Sequence, residues 1–224
     1  MTATPTGELP PVPAPTDLPA FLAAEAPRGA LAALRAARRH GTPMRTAAAL
    51  LARRARLRMR WRGRLELGPG AFVGQGVLFE IAPGARLALG PGAWLGGGSR
   101  IRVHGGSVTI GEGALLGRGV AIAAQREIEI GARCLLSDGV MLTDLRVTHE
   151  DVERPIREQP LEVAPVRVHD GAKVGPHACL LAGAEIGEGA IVGPRAVVDR
   201  RVAPGETAIG VPAPRRTAAR RPSR

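Results

Sequence analysis

The stretch VGPHACLLAGAEIGEGAIVGPRAVV, residues 174–198, carries an aliphatic residue at every sixth position: Val174, Leu180, Ile186, Val192 and Val198. Val168 begins the series, and four residues after each member stands a small apolar one, Ala172, Ala178, Ala184, Ala190, Ala196 and Val202. Glycine often follows the aliphatic residue directly, as at Gly175, Gly187 and Gly193. A period of six fits neither a helix nor an alternating strand. Three hexapeptides, each a short strand followed by a tight turn, close one triangular coil of a parallel β-helix.

Upstream the same spacing recurs in triplets: Leu67, Val73, Phe79; Leu89, Leu95, Ile101; Ile110, Leu116, Ile122; and Ile130, Leu136, Leu142. Successive triplets begin 22, 21, 20, 38 and 18 residues apart, so relative to an 18-residue coil one corner insertion is large. The sequence thus predicts an all-β domain over 64–214, a β-helix of about six coils, on the order of 29 Å long at the ~4.8 Å spacing of stacked strands.

Composition agrees. The apolar fraction is 45%, but Phe and Trp make only 2% and Tyr is absent, so the core must be narrow and aliphatic. Thirty Gly and twenty Pro exclude a chain that is mostly helix. The net charge of +11 invites a nucleic-acid reading, but it is unevenly placed. Residues 28–64 hold twelve Arg and no acid, residues 215–224 five more Arg, and residues 65–214 fourteen basic against seventeen acidic residues.

The segment 28–63 reads as a basic helix or helix pair broken near Gly41–Pro43, with an Arg-rich face in solvent and a place across the first coil. From Leu57 an alternation through Met59, Trp61 and Leu65 suggests a strand leading into that coil. Trp61 is the segment's lone aromatic, which argues against single-stranded nucleic-acid binding, where bases stack on interleaved rings. No specific nucleic-acid partner is expected, and an anionic surface is the partner that 28–64 suggests.

Residues 1–27, with seven Pro and no basic start followed by an apolar stretch, read as a disordered leader, and 215–224 as a basic tail. No run approaches a membrane span, and a cytoplasmic protein is expected. Cys134 and Cys179 sit at small apolar repeat positions and are not expected to pair.

Segments such as IGEGALLG, IGARCLLSDG and IGVPAP, with the stretch quoted first, resemble the left-handed β-helix hexapeptide-repeat acyltransferases over roughly residues 64–214. The resemblance implies the left hand of the coil, a homotrimer, acetyl-CoA as donor and a small hydroxyl-bearing acceptor such as a sugar. The large insertion, DLRVTHEDVERPIREQPLEVAP (144–165), resembles the acetyltransferases' loop, matching at Asp144, Pro155, Ile156 and Gln159. In that loop a catalytic histidine takes the acceptor's proton, which an imidazole titrating near neutrality can do. Counted back from Pro155, the family's histidine falls at Val147, and the histidine present is His149.

Three readings stay open. A remodelled loop brings His149 to the same point, with Asp144 orienting it or the acceptor; another histidine, His104 first, serves; or the chain is a silent trimeric scaffold or binding module with a basic interaction segment. His169 and His177 read as solvated turn residues, and His40 belongs to the basic segment. Ala182, Gly183 and Gly193 match donor-site positions, while Lys173 and Pro194 depart from them. Arg200, Arg201 and Arg215 are candidates for the CoA phosphates, since guanidinium binds phosphate as a fork. No two histidines stand five apart, as they do in the carbonic anhydrases of this fold, so no metal is expected.

Overall fold

The computed structural model describes residues 30–39, 43–147, 155–212 and 215–216. The leader 1–27, His40, His149 and the tail beyond Arg216 lie outside the described residues. Three parallel sheets run the length of a triangular prism, led by the strands Leu65–Leu67, Phe72–Val73 and Leu78–Ile81, and each coil contributes one strand to each sheet in turn. Six full coils are followed by a partial seventh, Arg201–Val202 and Thr207–Ala208.

Register follows the hexapeptide. Leu65 pairs with Leu87, Ile130 with Val168, Leu142 with Leu180 and Val174 with Val192, so like residues stack on like down the interior. Val168, Val174, Leu180, Ile186, Val192 and Val198 are at most 2% exposed, all turned inward. Phe79, in the first coil, is the triplet member left partly buried. The few extra residues of the early coils lengthen strands instead of looping out. Leu78–Ile81, Arg100–Val103 and Ala121–Ala124 each span four residues and lengthen together, which keeps their ladder in step.

Two helices precede the prism, α1 (Ala30–Arg39) and α2 (Met44–Arg60). The expected strand from Leu57 is corrected: helix continues to Arg60. Leu57 and Trp61 stand four apart, one helical turn, and both pack on the prism, whereas Met59 between them is 77% exposed. The alternation is one exposed apolar residue between two inward ones.

Helix α2 does what a missing coil would do. In each pair of coils the leading coil's N–H groups bond carbonyls of the next, as Gly68 N–H does to Leu89 O and Ala82 N–H to Val103 O. Leu67 and Ile81 hold the equivalent positions in the first coil, so their carbonyls face outward with no earlier coil to meet them. Arg54 donates to Leu67 O (2.8 Å), Gly68 O (2.7 Å) and Ala71 O (3.0 Å), Arg64 to Ile81 O (2.8 Å), and Arg53 to Gly74 O. Burial lowers the Arg54 guanidinium's pKa from its ordinary value, with nearby Arg58 adding to the effect. At the far end the chain folds back, and Arg215–Arg216 pairs antiparallel with Thr207–Ala208. Arg215, expected as a phosphate ligand, begins that edge strand.

Two substitutions test these points. Ile186→Asp would bury an unpaired carboxylate at a cost of several kcal/mol, comparable to a domain's whole stability, so soluble protein should be lost. Arg54→Ala should lower unfolding free energy by about 2–4 kcal/mol in a denaturant titration, and Arg54→Lys should recover little of it, because an ammonium cannot span the same carbonyls.

Candidate functional site

Every corner that follows a strand of the third sheet falls on one edge of the prism. Down that edge come His104, then Gln125–Glu127, Asp144 with the insertion, Ala182–Gly183 and Asp199–Arg200. The fold therefore brings Asp144, Ala182, Gly183 and Arg200 to a single edge. Gly193 lies on a different edge, after the second sheet, where its N–H bonds Ala208 O at 2.8 Å.

The insertion rises from this edge as a hairpin. Strands Leu145–Val147 and Leu161–Val163 pair antiparallel, with Leu145 opposite Val163, Arg146 opposite Glu162 and Val147 opposite Leu161. The matched short alternations LRV and LEV were the sequence signal for it, and sequence reasoning missed them. Arg146 and Glu162 form a cross-strand ion pair. The carboxylate raises the guanidinium's pKa, first through the hydrogen bond and then through its charge, with a smaller contribution from Asp199. Val147, at the position of the family's histidine, is the last residue of its strand and 39% exposed. A short 3-10 turn, Ile156–Glu158, and the buried Gln159 lead back into the second strand. His149 falls in 148–154, between the hairpin's outgoing strand and Pro155, outside the described residues.

Asp144 is fully buried at the hairpin's root. Its Oδ1 accepts from Gln125 N–H (2.8 Å), and its Oδ2 accepts from Arg126 N–H (2.7 Å) and Glu127 N–H (2.9 Å). Its own carbonyl accepts from Ala164 N–H (2.9 Å), so one residue pins both ends of the insertion to the preceding coil. These bonds engage both oxygens of the carboxylate with backbone donors.

Ala164 also carries the insertion into the next corner, where its carbonyl accepts from Gly183 N–H (3.2 Å). Gly183 holds φ +83°, a conformation side chains resist, and a Cβ there would stand 3.7 Å from that of Ala164. The Ala182–Gly183 turn thus lies bare beside the hairpin's foot. Arg200 reaches Asp199 at 3.8 Å and Arg201 reaches Glu185 at 3.8 Å, with all four side chains substantially exposed. Exposed pairs of this kind contribute little to stability.

The remaining histidines divide. His104 is exposed on the same edge as Asp144, two coils earlier. His169 Nε2 lies 3.2 Å from Glu185 Oε1 on the first sheet's outer side. His177 is exposed and holds a turn with φ +57°, its ring over Gly139 of the preceding coil. The Cys134 thiol is buried against His169 O, and burial raises its pKa, which disqualifies it as a nucleophile. Among the described residues no group of three His, Cys, Asp or Glu could hold a metal ion.

Asp144→Asn tests the root. One acceptor oxygen becomes an NH₂ facing an N–H, so a loss of about 1–3 kcal/mol is expected. Amide exchange at Gln125–Glu127 should accelerate while the interior of the prism stays protected.

Residues 165–200 match the model of the bacterial transferase hexapeptide family (six repeats). The chain is 33% identical over 143 residues to "Probable acetyltransferase Rv3034c" of Mycobacterium tuberculosis, a stretch covering 63% of this chain and 48% of that protein. It thus spans about half the length of this curated relative. A mutant of AntD, an N-acyltransferase from Bacillus cereus in complex with dTDP and coenzyme A, superposes with TM-score 0.63 at 18% identity, covering 75% of this chain and 89% of that one. The hexapeptide-repeat acetyltransferase VCA0836 of Vibrio cholerae, complexed with acetyl coenzyme A, gives TM-score 0.56 at 19% identity over 76% of this chain and 78% of that one. This chain is a hexapeptide-repeat protein with the left-handed β-helix fold of those acyltransferases.

Proposed function

We propose that the protein is an acetyl-CoA-dependent O-acetyltransferase that works as a homotrimer on a small hydroxyl-bearing acceptor, a sugar or similar compound. The observation that carries this is the single prism edge on which a pinned hairpin, a bare glycine turn and the exposed Arg200 come together, with Arg201 opening the adjoining strand of the first sheet. The likeness to proteins described as acetyltransferases supplies the reaction class. Acetyl-CoA supplies the acyl group as an activated thioester, and dependence on it fits the cytoplasm.

Ala182 and Gly183 fit the donor's slender arm, because they present backbone with no bulky side chain. Gly193, on another edge, takes part only where a second subunit brings that edge near. Arg200 and Arg201 are placed for the donor's phosphates. From the third coil onward the outer side of the third sheet carries Ala121, Ala123, Met141, Thr143, Cys179 and Val197, a surface of small and mostly apolar residues suited to a neighbouring copy.

His149, two residues after Val147 in the chain, serves as general base. The acceptor hydroxyl attacks the thioester carbonyl carbon while the imidazole takes its proton. The C–S bond then breaks, and the leaving thiolate receives that proton from the imidazolium, giving an acetyl ester and free CoA. Asp144 acts through the hairpin it roots. A second reading, the silent scaffold, is supported by Val147 at the family's histidine position.

Thiol release from acetyl-CoA over a panel of sugars, amino sugars and alcohols tests the proposal. His149→Ala should lose about 10²- to 10⁴-fold in turnover with acyl-CoA binding nearly unchanged. Full activity in that variant would transfer the role to His104. Preference for an amine would replace the ester product by an amide, and a wild type that binds no acyl-CoA at millimolar concentration would leave the scaffold.

A further inference from the structure

The basic end of the molecule holds more arginine than its capping role uses. Of the twelve in residues 28–64, Arg53, Arg54 and Arg64 bond the first coil's carbonyls, and Arg60 lies over the Trp61 ring at 5.7 Å. Arg38 and Arg39 occupy the last turn of α1 and Arg58 that of α2, where the helix dipole favours a cation, and Arg28 lies outside the described residues. Arg35, Arg45, Arg56 and Arg62 remain, all exposed, and no carboxylate among the described residues pairs with them. Arg45 stands in the first turn of α2, where the dipole disfavours a positive charge. No stabilising role accounts for it.

The exposed side of α2 has a pattern. Ala48, Ala52, Ala55 and Met59 follow one another at helical spacing along it, all exposed, with Arg45 and Arg56 beside them. The opposite side is committed: Leu50 and Leu51 pack with Leu34 of α1, and Leu57 packs on the prism. The result is a shallow apolar strip bordered by guanidinium groups at the end of a prism whose body, residues 65–214, has a net charge of −3 (fourteen basic, seventeen acidic). Such polarity presents one end to an anionic surface and turns the body away.

We propose that this helical end docks on an anionic lipid surface, with the arginines against headgroup phosphates and the Ala–Met strip at the acyl boundary. A nucleic acid offers phosphates too, but it fits the surface less well. Trp61, the segment's one aromatic, is partly buried on the prism between Arg60 and Arg64 and is not free to stack on bases. An exposed Met59 also finds no use on a phosphate backbone, whereas an interfacial helix places its apolar side in lipid. The proposal is independent of the acetyltransferase reading, because α2 and the hairpin belong to different parts of the fold.

Flotation of the full-length protein with vesicles tests it. Binding is expected to vesicles of phosphatidylcholine and phosphatidylglycerol in equal parts, to be absent with phosphatidylcholine alone, and to weaken steeply with salt. Replacing Arg35, Arg45 and Arg56 by Gln should weaken partitioning about a hundredfold, roughly fivefold for each charge lost near the surface. The triple variant should melt as the wild type does, since none of the three bonds the fold. Met59→Ser should weaken vesicle binding and leave any binding to duplex DNA or RNA unchanged. Equal binding to uncharged vesicles, no binding to either vesicle, or duplex DNA or RNA bound in preference to anionic vesicles would each overturn the proposal, the last in favour of a nucleic acid.

Discussion

A stack of parallel coils satisfies its backbone only through the coil above and the coil below, so each end of the stack leaves a row of polar groups with no coil to meet them. An open row of that kind also pairs with any other strand that reaches it. Much of the molecule outside the repeat can be understood from this constraint. At the start, Arg54 alone reaches three carbonyls, at 2.7–3.0 Å, and Arg64 takes a fourth. A leucine in place of Arg54 would bury apolar area as well as arginine does but would give up the bonds to Leu67 O and Ala71 O, and a lysine would meet fewer. At the finish, Thr207–Ala208, the last parallel strand of the second sheet, is met by the returning antiparallel strand Arg215–Arg216.

The same ladder decides where irregular chain is allowed. Inside a strand an added residue keeps the ladder in step only where the neighbouring strands lengthen with it, as in the early coils, so an insertion that no neighbour matches goes to a corner, and the largest lies on the edge that follows the third sheet. A corner insertion is free to vary but is poorly placed unless something anchors it. Asp144 is that anchor, accepting three N–H groups of the preceding coil and holding Ala164 through its carbonyl. A buried carboxylate is costly unless such donors surround it. The paired strands Leu145–Val147 and Leu161–Val163 therefore stand on a fixed foot.

The parts legible in the sequence are those where one position admits one kind of residue. The prism is so narrow that each inward site takes an aliphatic side chain, and the six-residue spacing from Val168 to Val198 states the fold almost by itself. Where two structures share a spacing the sequence misleads: Leu57, Met59 and Trp61 read as a strand, and only the exposure of Met59 tells that they are helix. Asp144 shows a different limit. Its place in the chain was visible, but its donors lie 17–19 residues earlier, and no local pattern reveals that a carboxylate is spent on backbone. Gly193 likewise matched by motif yet sits on another edge, because a motif counts residues and the prism folds that count around three corners.

Charge shows the same distinction between what a residue is and what it does. A chain whose basic residues include one lysine, Lys173, has a compositional bias that could supply arginine anywhere. Those along the body are mostly answered: Arg167 reaches Glu127 and Glu129, Arg146 reaches Glu162, and Arg133 lies 3.8 Å from Asp170. Each answer costs the body an acid, and the acids there outnumber the bases. The helical end has no acid at all between residues 28 and 64. Compositional bias explains an excess of arginine but not the lack of Asp and Glu beside it, for the same bias leaves seventeen acids along the body. The capping bonds require only three of these arginines, so the uncompensated field at that end has to be understood through what the end meets in solution.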